Sequence, residues 1–312
     1  MKPVKILIVD KMHSSIVPLL EQQGFIVHYE PKVTRKEIIE RLGDYHGMII
    51  RSKTSVDADL LQNANELVFV ARAGAGIDQL DVKVLESRNI KILNAPEGNR
   101  DALGEHALGM LLSIANKIRH ADITIRQKVW AREAHRGFEV KGKIVALIGY
   151  GQMASAFAEK LSGLGCEVIA YDKYKTDFTS KFVKEVSMEE IFKRTNILSF
   201  HVPLTEETRN LADERFLSKF ENNIVLLNTS RGEVLNLKDL LKMIDSGKVT
   251  AAGLDVLENE KIDHLNNQQK ENFERLIKSD NVLLTPHVGG WTYESYERIN
   301  EVLVDKILKL KG

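Results

Sequence analysis

Short apolar runs alternate with helical patterns along most of the chain. One apolar run at 144–148, IVALI, ends in Gly149-Tyr150-Gly151; an Ala-rich helical pattern follows, and a second run at 168–171 ends at Asp172. This succession predicts a strand, a helix and a second strand, the unit of a parallel β-sheet covered by helices. The same alternation predicts further strands at residues 5–9, 25–28, 47–50, 67–71, 90–93, 197–200, 224–227, 251–254 and 282–284.

Helical patterns lie between these strands. Thr34 with Glu37, and Ser187 with Glu190, have the spacing of an N-terminal capping box. The patterns also predict a short helix at 57–63, an interruption at 94–99, a long helix at 101–128 and a final helix at 292–310. We therefore expect an α/β protein with two Rossmann-like, doubly wound parallel-sheet domains and a cleft between them.

The glycine turn at 149–151 predicts a dinucleotide site. Gly149 permits a turn that a Cβ would block, and Gly151 lets the backbone approach a pyrophosphate at the start of the helix. Ala154 occupies the third small position of the pattern, and Asp172 is placed to bond the hydroxyls of a ribose. The alternative is a structural glycine turn in another kind of α/β protein. We favour NAD, and prefer it to NADP because Asp172 repels a 2′-phosphate.

Composition excludes several other classes. The 312 residues include 44 basic and 44 acidic side chains, so net charge gives no reason to expect a nucleic-acid partner. Cys166 is the single cysteine, which precludes an intrachain disulfide, and no Cys/His spacing indicates a metal site. No apolar stretch reaches the length of a membrane span. These features predict a cytoplasmic protein without metal or membrane partner.

Polar side chains follow separate apolar runs. Besides the glycine turn and Asp172, His201, Arg231, Asp255 and His287 each come soon after a predicted strand. In an open parallel sheet, ligands bind at the carboxyl ends of the strands, so we expect these residues to share one edge of the sheet.

Seven short motifs resemble one family in order. The chain is similar to the D-2-hydroxyacid dehydrogenases, and among them to the phosphoglycerate dehydrogenases. The motifs are RAGAGID at 72–78, NAPEGN at 94–99, GKIVALIGYG at 142–151, HVPLT at 201–205, NTSRGE at 228–233, GLDV at 253–256 and TPHVGG at 285–290. The chain departs from the family pattern at Lys261, Gln79, Gly104 and Ala154, none of which is a catalytic position.

The resemblance implies a catalytic set of Arg231, Glu260 and His287. Reduction of a 2-keto acid by hydride needs a proton donor, which His287 supplies. Glu260 would orient the imidazole and favour its protonated form, unless it is a solvated acid in a charged run. Arg231 offers a planar fork for the substrate carboxylate.

Other site residues follow from the strand ends and the resemblance. Asp255 is expected at the nicotinamide end of the cofactor, and His201 is either a cofactor-lining or a packing residue. The predicted cofactor-binding residues are Gly149, Tyr150, Gly151, Gln152, Met153, Asp172, His201, Val202, Pro203, Thr229, Ser230, Asp255 and Gly289. The predicted substrate-binding residues are Arg51, Ser52, Gly74, Ala75, Gly76 and Arg231.

These expectations describe a two-domain dehydrogenase whose substrate remains open between several alternatives. Residues 1–98 and 288–312 are predicted to form a discontinuous substrate-binding domain, and residues 99–287 an NAD-binding domain; the family implies a homodimer. Arg51 favours 3-phosphoglycerate as substrate, although a solvated strand-end charge is the alternative. A glyoxylate/hydroxypyruvate reductase and a D-lactate dehydrogenase are the rival enzymes. A nicotinamide-sensing corepressor is the rival from another class, against which retention of all three catalytic positions argues.

Overall fold

Two parallel β-sheets form the framework of the protein. The structure is a computed structural model that describes residues 3–310, and these residues supply five strands to one sheet and seven to the other. The predicted α/β class with two doubly wound parallel sheets is confirmed. The predicted first domain also included residues 1–2 and 311–312, which lie outside the described residues.

Strands and helices alternate along much of the chain. The strands are β1 (Lys5–Ile8), β2 (Ile26–Tyr29), β3 (Gly47–Ile50), β4 (Phe69–Arg72), β5 (Lys91–Asn94), β6 (Ile144–Ile148), β7 (Glu167–Tyr171), β8 (Lys184–Glu185), β9 (Ile197–Phe200), β10 (Ile224–Asn228), β11 (Val249–Leu254) and β12 (Val282–Leu284). The helices are α1 (Ile16–Glu21), α2 (Arg35–Arg41), α3 (Val82–Ser87), α4 (Pro96–Ala115), α5 (Ile118–Arg126), α6 (Gln152–Leu161), α7 (Met188–Arg194), α8 (Glu214–Leu217), α9 (Leu237–Asp245), α10 (Asn267–Lys278) and α11 (Tyr293–Lys309).

The chain divides into two compact units. The first unit comprises the residues up to Asp101 together with those from Trp291 onward, and the second unit is Ala102–Gly290. Both divisions lie slightly later in the chain than the predicted boundaries at 98/99 and 287/288. The earlier of the two falls inside helix α4.

The sheet of the first unit has the strand order β2-β1-β3-β4-β5 and is apolar on both faces. Successive side chains of a strand point to opposite faces. Along β1, Leu7 therefore packs into one apolar cluster, whereas Ile6 and Ile8 pack into another. The second cluster includes Ile16 of α1 and Leu303 of α11. The last helix thus completes the core of the first unit.

The sheet of the second unit has the order β12-β11-β10-β9-β6-β7-β8 and is likewise covered on both faces. Ala146 of β6 packs into one buried cluster and Leu147 into the other. Ala154 of α6 is fully buried in the latter cluster, as expected for a small residue that allows close packing of helix on strand. A Cβ at Gly104 of α4 would lie 3.0 Å from the backbone carbon of Ala156, so these two helices also approach closely.

Three local predictions are wrong. Residues 57–63 form hydrogen-bonded turns instead of a helix, because the Leu61 N–H donates to the Asp57 carbonyl at 3.2 Å but the next N–H, that of Gln62, donates to the Asp59 carbonyl at 3.3 Å, which does not continue the helical pattern. The predicted interruption at 94–99 is largely helical, since α4 begins at Pro96. The predicted long helix at 101–128 is two helices, because Lys117 adopts a left-handed conformation with φ of 50°.

No helix within residues 3–310 combines the length and the apolar character needed to cross a membrane.

Candidate active site

The carboxyl ends of the second unit's strands carry the predicted polar residues. Gly149 follows β6, Asp172 follows β7, His201 follows β9 and Asp255 follows β11. Because the sheet is parallel, these ends share one edge, as the sequence predicted. The strand order reverses between β6 and β9, which is where open α/β sheets bind ligands.

Gly149 lies at this reversal and has no room for a side chain. Its φ is 86°, and a Cβ would lie 2.6 Å from the carbonyl oxygen of His201 and 2.9 Å from Cγ1 of Val202. Both the left-handed backbone and the close approach require glycine. The predicted tight turn is therefore confirmed.

The start of α6 fits a pyrophosphate. Gly151 is the N-cap residue and provides no side-chain cap, so the first turn of the helix, which includes Gln152 and Met153, presents its N–H groups at this end. A Cβ at Gly151 would meet nothing within 4 Å, which leaves open space beside the turn. Tyr150, the central residue of the turn, stacks on Phe178 with ring centroids 4.7 Å apart.

Asp172 is anchored by the backbone of its own surroundings. Its carboxylate accepts the N–H of Tyr150 at 2.8 Å, of Tyr174 at 2.9 Å and of Lys175 at 3.0 Å. Burial opposes ionisation, but these hydrogen bonds keep the pKa of Asp172 below its usual value. A carboxylate has about four lone-pair sites, so the anion retains capacity to accept a ribose hydroxyl.

A second fit to a ligand comes from the loop after β10. Asn228 is fully buried, and its side-chain oxygen accepts both the N–H and the hydroxyl of Ser230. Thr229 is 5% exposed, and its hydroxyl has no hydrogen-bond partner among the described residues. Buried hydroxyls normally have a partner, so this loop is suited to receive a polar group of a bound molecule.

His201 is a neutral residue at the sheet reversal. Its Nε2 lies 2.9 Å from the Ser199 hydroxyl, and its ring lies 5.8 Å from that of Phe157. Burial lowers the pKa of His201 to about 4. The next residues, Val202 and Pro203, continue the strand-end loop, and the Pro203 carbonyl accepts the Thr208 hydroxyl at 2.6 Å.

His287 and Glu260 form a side-chain pair. Nδ1 of His287 lies 2.8 Å from Oε1 and 3.0 Å from Oε2 of Glu260. Both side chains are nearly half-exposed, at 44% and 48%. Nε2 makes no hydrogen bond to the described residues, so the pair leaves one ring nitrogen accessible to a substrate.

The loop that carries His287 is held by Asp255. This carboxylate is 1% exposed and accepts the hydroxyl of Thr285 at 2.6 Å and the N–H groups of Val288 at 3.0 Å and Gly289 at 2.8 Å. A Cβ at Gly289 would lie 2.7 Å from the same carboxylate, so only glycine fits. The Asp255 carbonyl also accepts the N–H of His287 at 2.7 Å.

His106 completes this network. Its Nε2 lies 3.2 Å from Oδ1 of Asp255 and 3.1 Å from the hydroxyl of Thr285. Burial opposes ionisation of Asp255, but His106, Thr285 and the loop N–H groups hold the pKa of Asp255 below its usual value. Asp255 is therefore an anion that fixes the loop, a role that the sequence did not indicate.

Arg231 is brought beside the segment that carries Glu260. A Cβ at the next residue, Gly232, would lie 1.9 Å from the carbonyl carbon of Leu257. The two loops therefore touch backbone to backbone. The Arg231 guanidinium donates to the carbonyl of Ser230 at 2.7 Å, and the Asn228 amide donates to the carbonyl of Arg231 at 2.8 Å.

The first unit has its own strand reversal, between β1 and β3. Asp10 follows β1, is 2% exposed and accepts the N–H of Arg51 at 2.6 Å and of Lys53 at 3.1 Å. Its other oxygen accepts the Thr54 hydroxyl at 2.7 Å. A buried acid thus fixes the loop that contains Arg51 and Ser52; Ser52 itself is exposed.

The Arg51 guanidinium lies against two aromatic rings. Its Cζ is 3.9 Å from the ring centroid of Trp291 and 4.6 Å from that of Tyr296. Burial lowers the pKa of Arg51, although an arginine remains charged at neutral pH. No carboxylate of the described residues forms an ion pair with it.

Backbone donors occur at the end of β4. The N–H groups of Gly74, Ala75 and Gly76 make no hydrogen bond within residues 3–310. The carbonyls of the loop are engaged instead, since the Ala95 N–H donates to Gly74 at 2.8 Å and the Asn94 amide to Ala75 at 2.7 Å. Successive free N–H groups form an anion-binding concavity.

Sequence reasoning missed Asp10, Trp291 and Tyr296. Asp10 had a usable signal, because it follows an apolar strand as Asp255 does. The aromatic pair had none, because its partner Arg51 is far away in the chain.

Comparison with known proteins identifies the family. Residues 108–289 match the family described as D-isomer specific 2-hydroxyacid dehydrogenase, NAD binding domain. The chain is 32% identical over 303 residues to a hydroxypyruvate reductase of Thermotoga maritima, and the match covers 97% of each chain. It is 30% identical over 309 residues to a D-3-phosphoglycerate dehydrogenase of Archaeoglobus fulgidus; that match covers 98% of this chain but 57% of the relative.

A solved structure shares the fold. A glyoxylate reductase from Paecilomyes thermophila superposes with a TM-score of 0.87 at 21% identity, over 99% of this chain and 95% of that one. The fold and the matched segment define an oxidoreductase that uses a nicotinamide cofactor. The chain belongs to the D-isomer specific 2-hydroxyacid dehydrogenase family.

His201 generates a prediction about stability. The ordinary pKa of 6.5 falls to about 4 in the folded protein, so between these values the unfolded chain binds a proton that the folded chain does not. Stability is therefore expected to fall as the pH drops from about 6.5 to 4, by up to about 3 kcal/mol from this group. Urea unfolding of the wild type and of His201→Gln across this range measures the difference. His264→Gln, at an exposed position, should retain the wild-type dependence; identical pH profiles for all three proteins would contradict the assignment.

Proposed function

We propose that the chain interconverts a D-2-hydroxy acid and its 2-keto acid with NAD, and that the substrate pair is 3-phosphoglycerate and 3-phosphohydroxypyruvate. The second unit would bind NAD and the first unit the substrate. The observation that carries the chemistry is the 2.8 Å contact between His287 and Glu260 beside the loop of Arg231. The cation at Arg51, which has no carboxylate partner among the described residues, supports the phosphorylated substrate.

The reduction needs one hydride and one proton. The nicotinamide, when bound, supplies the hydride to the keto carbon. Nε2 of His287 donates the proton to the carbonyl oxygen, which becomes the hydroxyl. Glu260 holds the imidazole through Nδ1, at 2.8 Å, and so orients Nε2 for the transfer. Arg231 binds the substrate carboxylate and polarises the carbonyl. The reverse reaction uses neutral His287 as the base.

His287→Ala is expected to lower kcat by roughly 10²–10⁴, the usual contribution of a positioned general acid–base. The dissociation constant of NADH should change little, because the turn at 149–151 and Asp172 are unaltered. Stopped-flow or steady-state NADH absorbance measures the first quantity, and NADH fluorescence titration the second. His264→Ala serves as the control, because this exposed histidine lies on the segment after Glu260. Wild-type turnover in His287→Ala would overturn the mechanism, and absence of any turnover by the wild type would favour the corepressor alternative.

Asp172 supports NAD as the preferred cofactor. The anion would bond the ribose hydroxyls of NAD and repel the 2′-phosphate of NADP. Lys173 is already engaged by Glu207 at 2.8 Å, and Lys175 by the Tyr150 carbonyl at 3.0 Å. These lysines are therefore less available to offset the repulsion.

Asp172→Asn is expected to reduce the ratio of kcat/KM for NAD over NADP by roughly 10–150-fold, the value of a charge-assisted hydrogen bond of about 1.5–3 kcal/mol. Asparagine keeps one acceptor for the loop N–H groups but removes the charge. Asp177→Asn, an exposed neighbour, is the matched control. Equal kcat/KM for the two cofactors in the wild type would refute the proposal.

Arg51 distinguishes the candidate substrates. Its guanidinium has donors for two charge-assisted hydrogen bonds to a phosphate, and the Ser52 hydroxyl adds a third. Lactate or glyoxylate would leave this cation without a counter-charge. Hydroxypyruvate, the substrate named for the Thermotoga maritima relative, lacks the phosphate but shares the rest of the molecule, so it is the informative comparison.

Arg51→Ala is expected to lower kcat/KM for phosphohydroxypyruvate by roughly 10–150-fold, since a charge-assisted contact is worth about 1.5–3 kcal/mol. The loss for hydroxypyruvate should be much smaller. Arg51→Lys keeps the charge without the planar fork, so its kcat/KM for phosphohydroxypyruvate should lie between those of the wild type and of Arg51→Ala. Equal losses for both substrates, or no wild-type activity on the phosphorylated pair, would remove the assignment and leave the broader dehydrogenase.

An exposed apolar surface supports a homodimer built through the second unit. Four large apolar side chains in and after α5 are about half-exposed or more: Ile118 at 55%, Ile125 at 50%, Val129 at 48% and Trp130 at 85%. Exposed large apolar side chains that lie close together in the chain are typical of interfaces between proteins. The segment from Trp130 to Glu133 would then be an oligomer contact.

Light scattering after size exclusion is expected to give twice the monomer mass of 35.3 kDa. The double variant Ile118→Ser/Trp130→Ser should shift the mass toward the monomer at micromolar concentration. Tyr174→Ser, which removes an aromatic ring that is 79% exposed elsewhere in the same unit, should not. A monomeric wild type would refute the dimer.

A further inference from the structure

Arg51 lies in a notch formed by two aromatic side chains of the C-terminal segment. The ring centroids of Trp291 and Tyr296 are 5.0 Å apart and the rings are tilted by 46°. The Cζ atom of Arg51 is 3.9 Å from one centroid and 4.6 Å from the other. These three distances form a compact triangle, so the guanidinium contacts both rings.

The contact holds the arginine while leaving most of its donors for a ligand. An aromatic ring attracts a guanidinium through its face, whereas the five N–H donors of arginine point outward in the plane of the group. A carboxylate partner would instead occupy those donors and neutralise the charge. Among the described residues, no carboxylate does so.

The backbone of the same arginine is also fixed. Asp10 accepts the Arg51 N–H at 2.6 Å, and Arg72 Nε donates to the Arg51 carbonyl at 3.1 Å. A free arginine side chain loses considerable rotational entropy when it binds an anion. With its backbone bonded and its head group against two rings, Arg51 has lost part of that freedom before any ligand arrives.

We propose that Trp291 and Tyr296 are positioning residues that hold Arg51 as a preformed receptor for a phosphate group and thereby set the preference for a phosphorylated substrate. This inference rests on the proposed function. It assigns the specificity to an aromatic pair that no sequence motif of the chain includes.

A purely structural role makes a different prediction. If the two rings only fill space, replacement by an apolar side chain of similar volume should preserve phosphate binding. If the two rings act through the guanidinium, phosphate binding should depend on an aromatic side chain at each position. Trp291→Phe and Tyr296→Phe should then retain phosphate binding, whereas Trp291→Leu and Tyr296→Leu should weaken it.

Trp291 itself provides the optical readout, because the sequence has two tryptophans and Trp130 can be replaced by phenylalanine. In the Trp130→Phe protein, inorganic phosphate is expected to change Trp291 emission saturably, and sodium chloride at equal ionic strength is not. Adding Arg51→Ala should abolish the change. Adding Tyr296→Leu should weaken phosphate binding by about 2- to 30-fold, the range for one cation–π contact, whereas Tyr296→Phe should restore it. Tyr293→Leu, at a ring that is 93% exposed in the same helix, is the matched control.

Kinetics give the second readout. Trp291→Leu and Tyr296→Leu are expected to raise KM for phosphohydroxypyruvate with little change in kcat, and to leave KM for hydroxypyruvate nearly unchanged. Equal phosphate affinity in the leucine and phenylalanine variants, or no response of Trp291 to phosphate, would overturn the inference. If phosphate binds with the expected aromatic dependence but phosphohydroxypyruvate is not turned over, the receptor stands and the proposed substrate fails.

Discussion

The carboxylate of Asp255 is the interaction on which the candidate active site depends. It is almost fully buried, and it accepts hydrogen bonds from His106, Thr285 and the backbone of the loop at 288–289. A buried charge is costly unless its hydrogen bonds are satisfied, and here each donor belongs to the surroundings of His287. Removal of the charge would release the loop as well as the donors. The strand end of β11 thus fixes the backbone of the loop that carries His287.

The first unit uses the same device. Asp10, buried at the end of β1, accepts the N–H groups that start the Arg51 loop. In both units an acid at a strand end binds the backbone N–H groups of a neighbouring connection, and a candidate functional side chain lies on that connection. Within each unit the loop is therefore held by a buried carboxylate, which suits a side chain that must keep its geometry while a ligand binds.

Most strands could be predicted from the sequence, because buried parallel strands are continuous apolar runs. The predicted ranges of β3, β6, β9 and β12 agree with the structure at both ends. The helices were harder to delimit. The segment with Pro96 was interpreted as an interruption, yet proline is favoured in the first turn of a helix. No glycine or proline in the sequence indicates the left-handed conformation of Lys117.

The candidate site could be predicted only where its residues belong to a local sequence pattern. The glycine turn and the polar strand ends are local, so they were found, whereas no periodicity reports the contact of His106 with Asp255 or of Arg51 with Trp291. The predicted helix at 57–63 failed for a different reason, because one helical hydrogen bond, from the Leu61 N–H to the Asp57 carbonyl, is followed by a tighter bond from the Gln62 N–H to the Asp59 carbonyl.

The backbone of His287 has a consequence for engineering. Its φ is 53°, a left-handed conformation that costs a residue other than glycine roughly 1–2 kcal/mol. Glycine or asparagine would relieve that strain at the position of the proposed proton donor. A library selected for thermal resistance alone would therefore enrich substitutions at this position and drift toward well-folded proteins without the imidazole. Under the proposed mechanism, stability and turnover oppose each other at this one residue, and directed evolution of this chain has to screen for both.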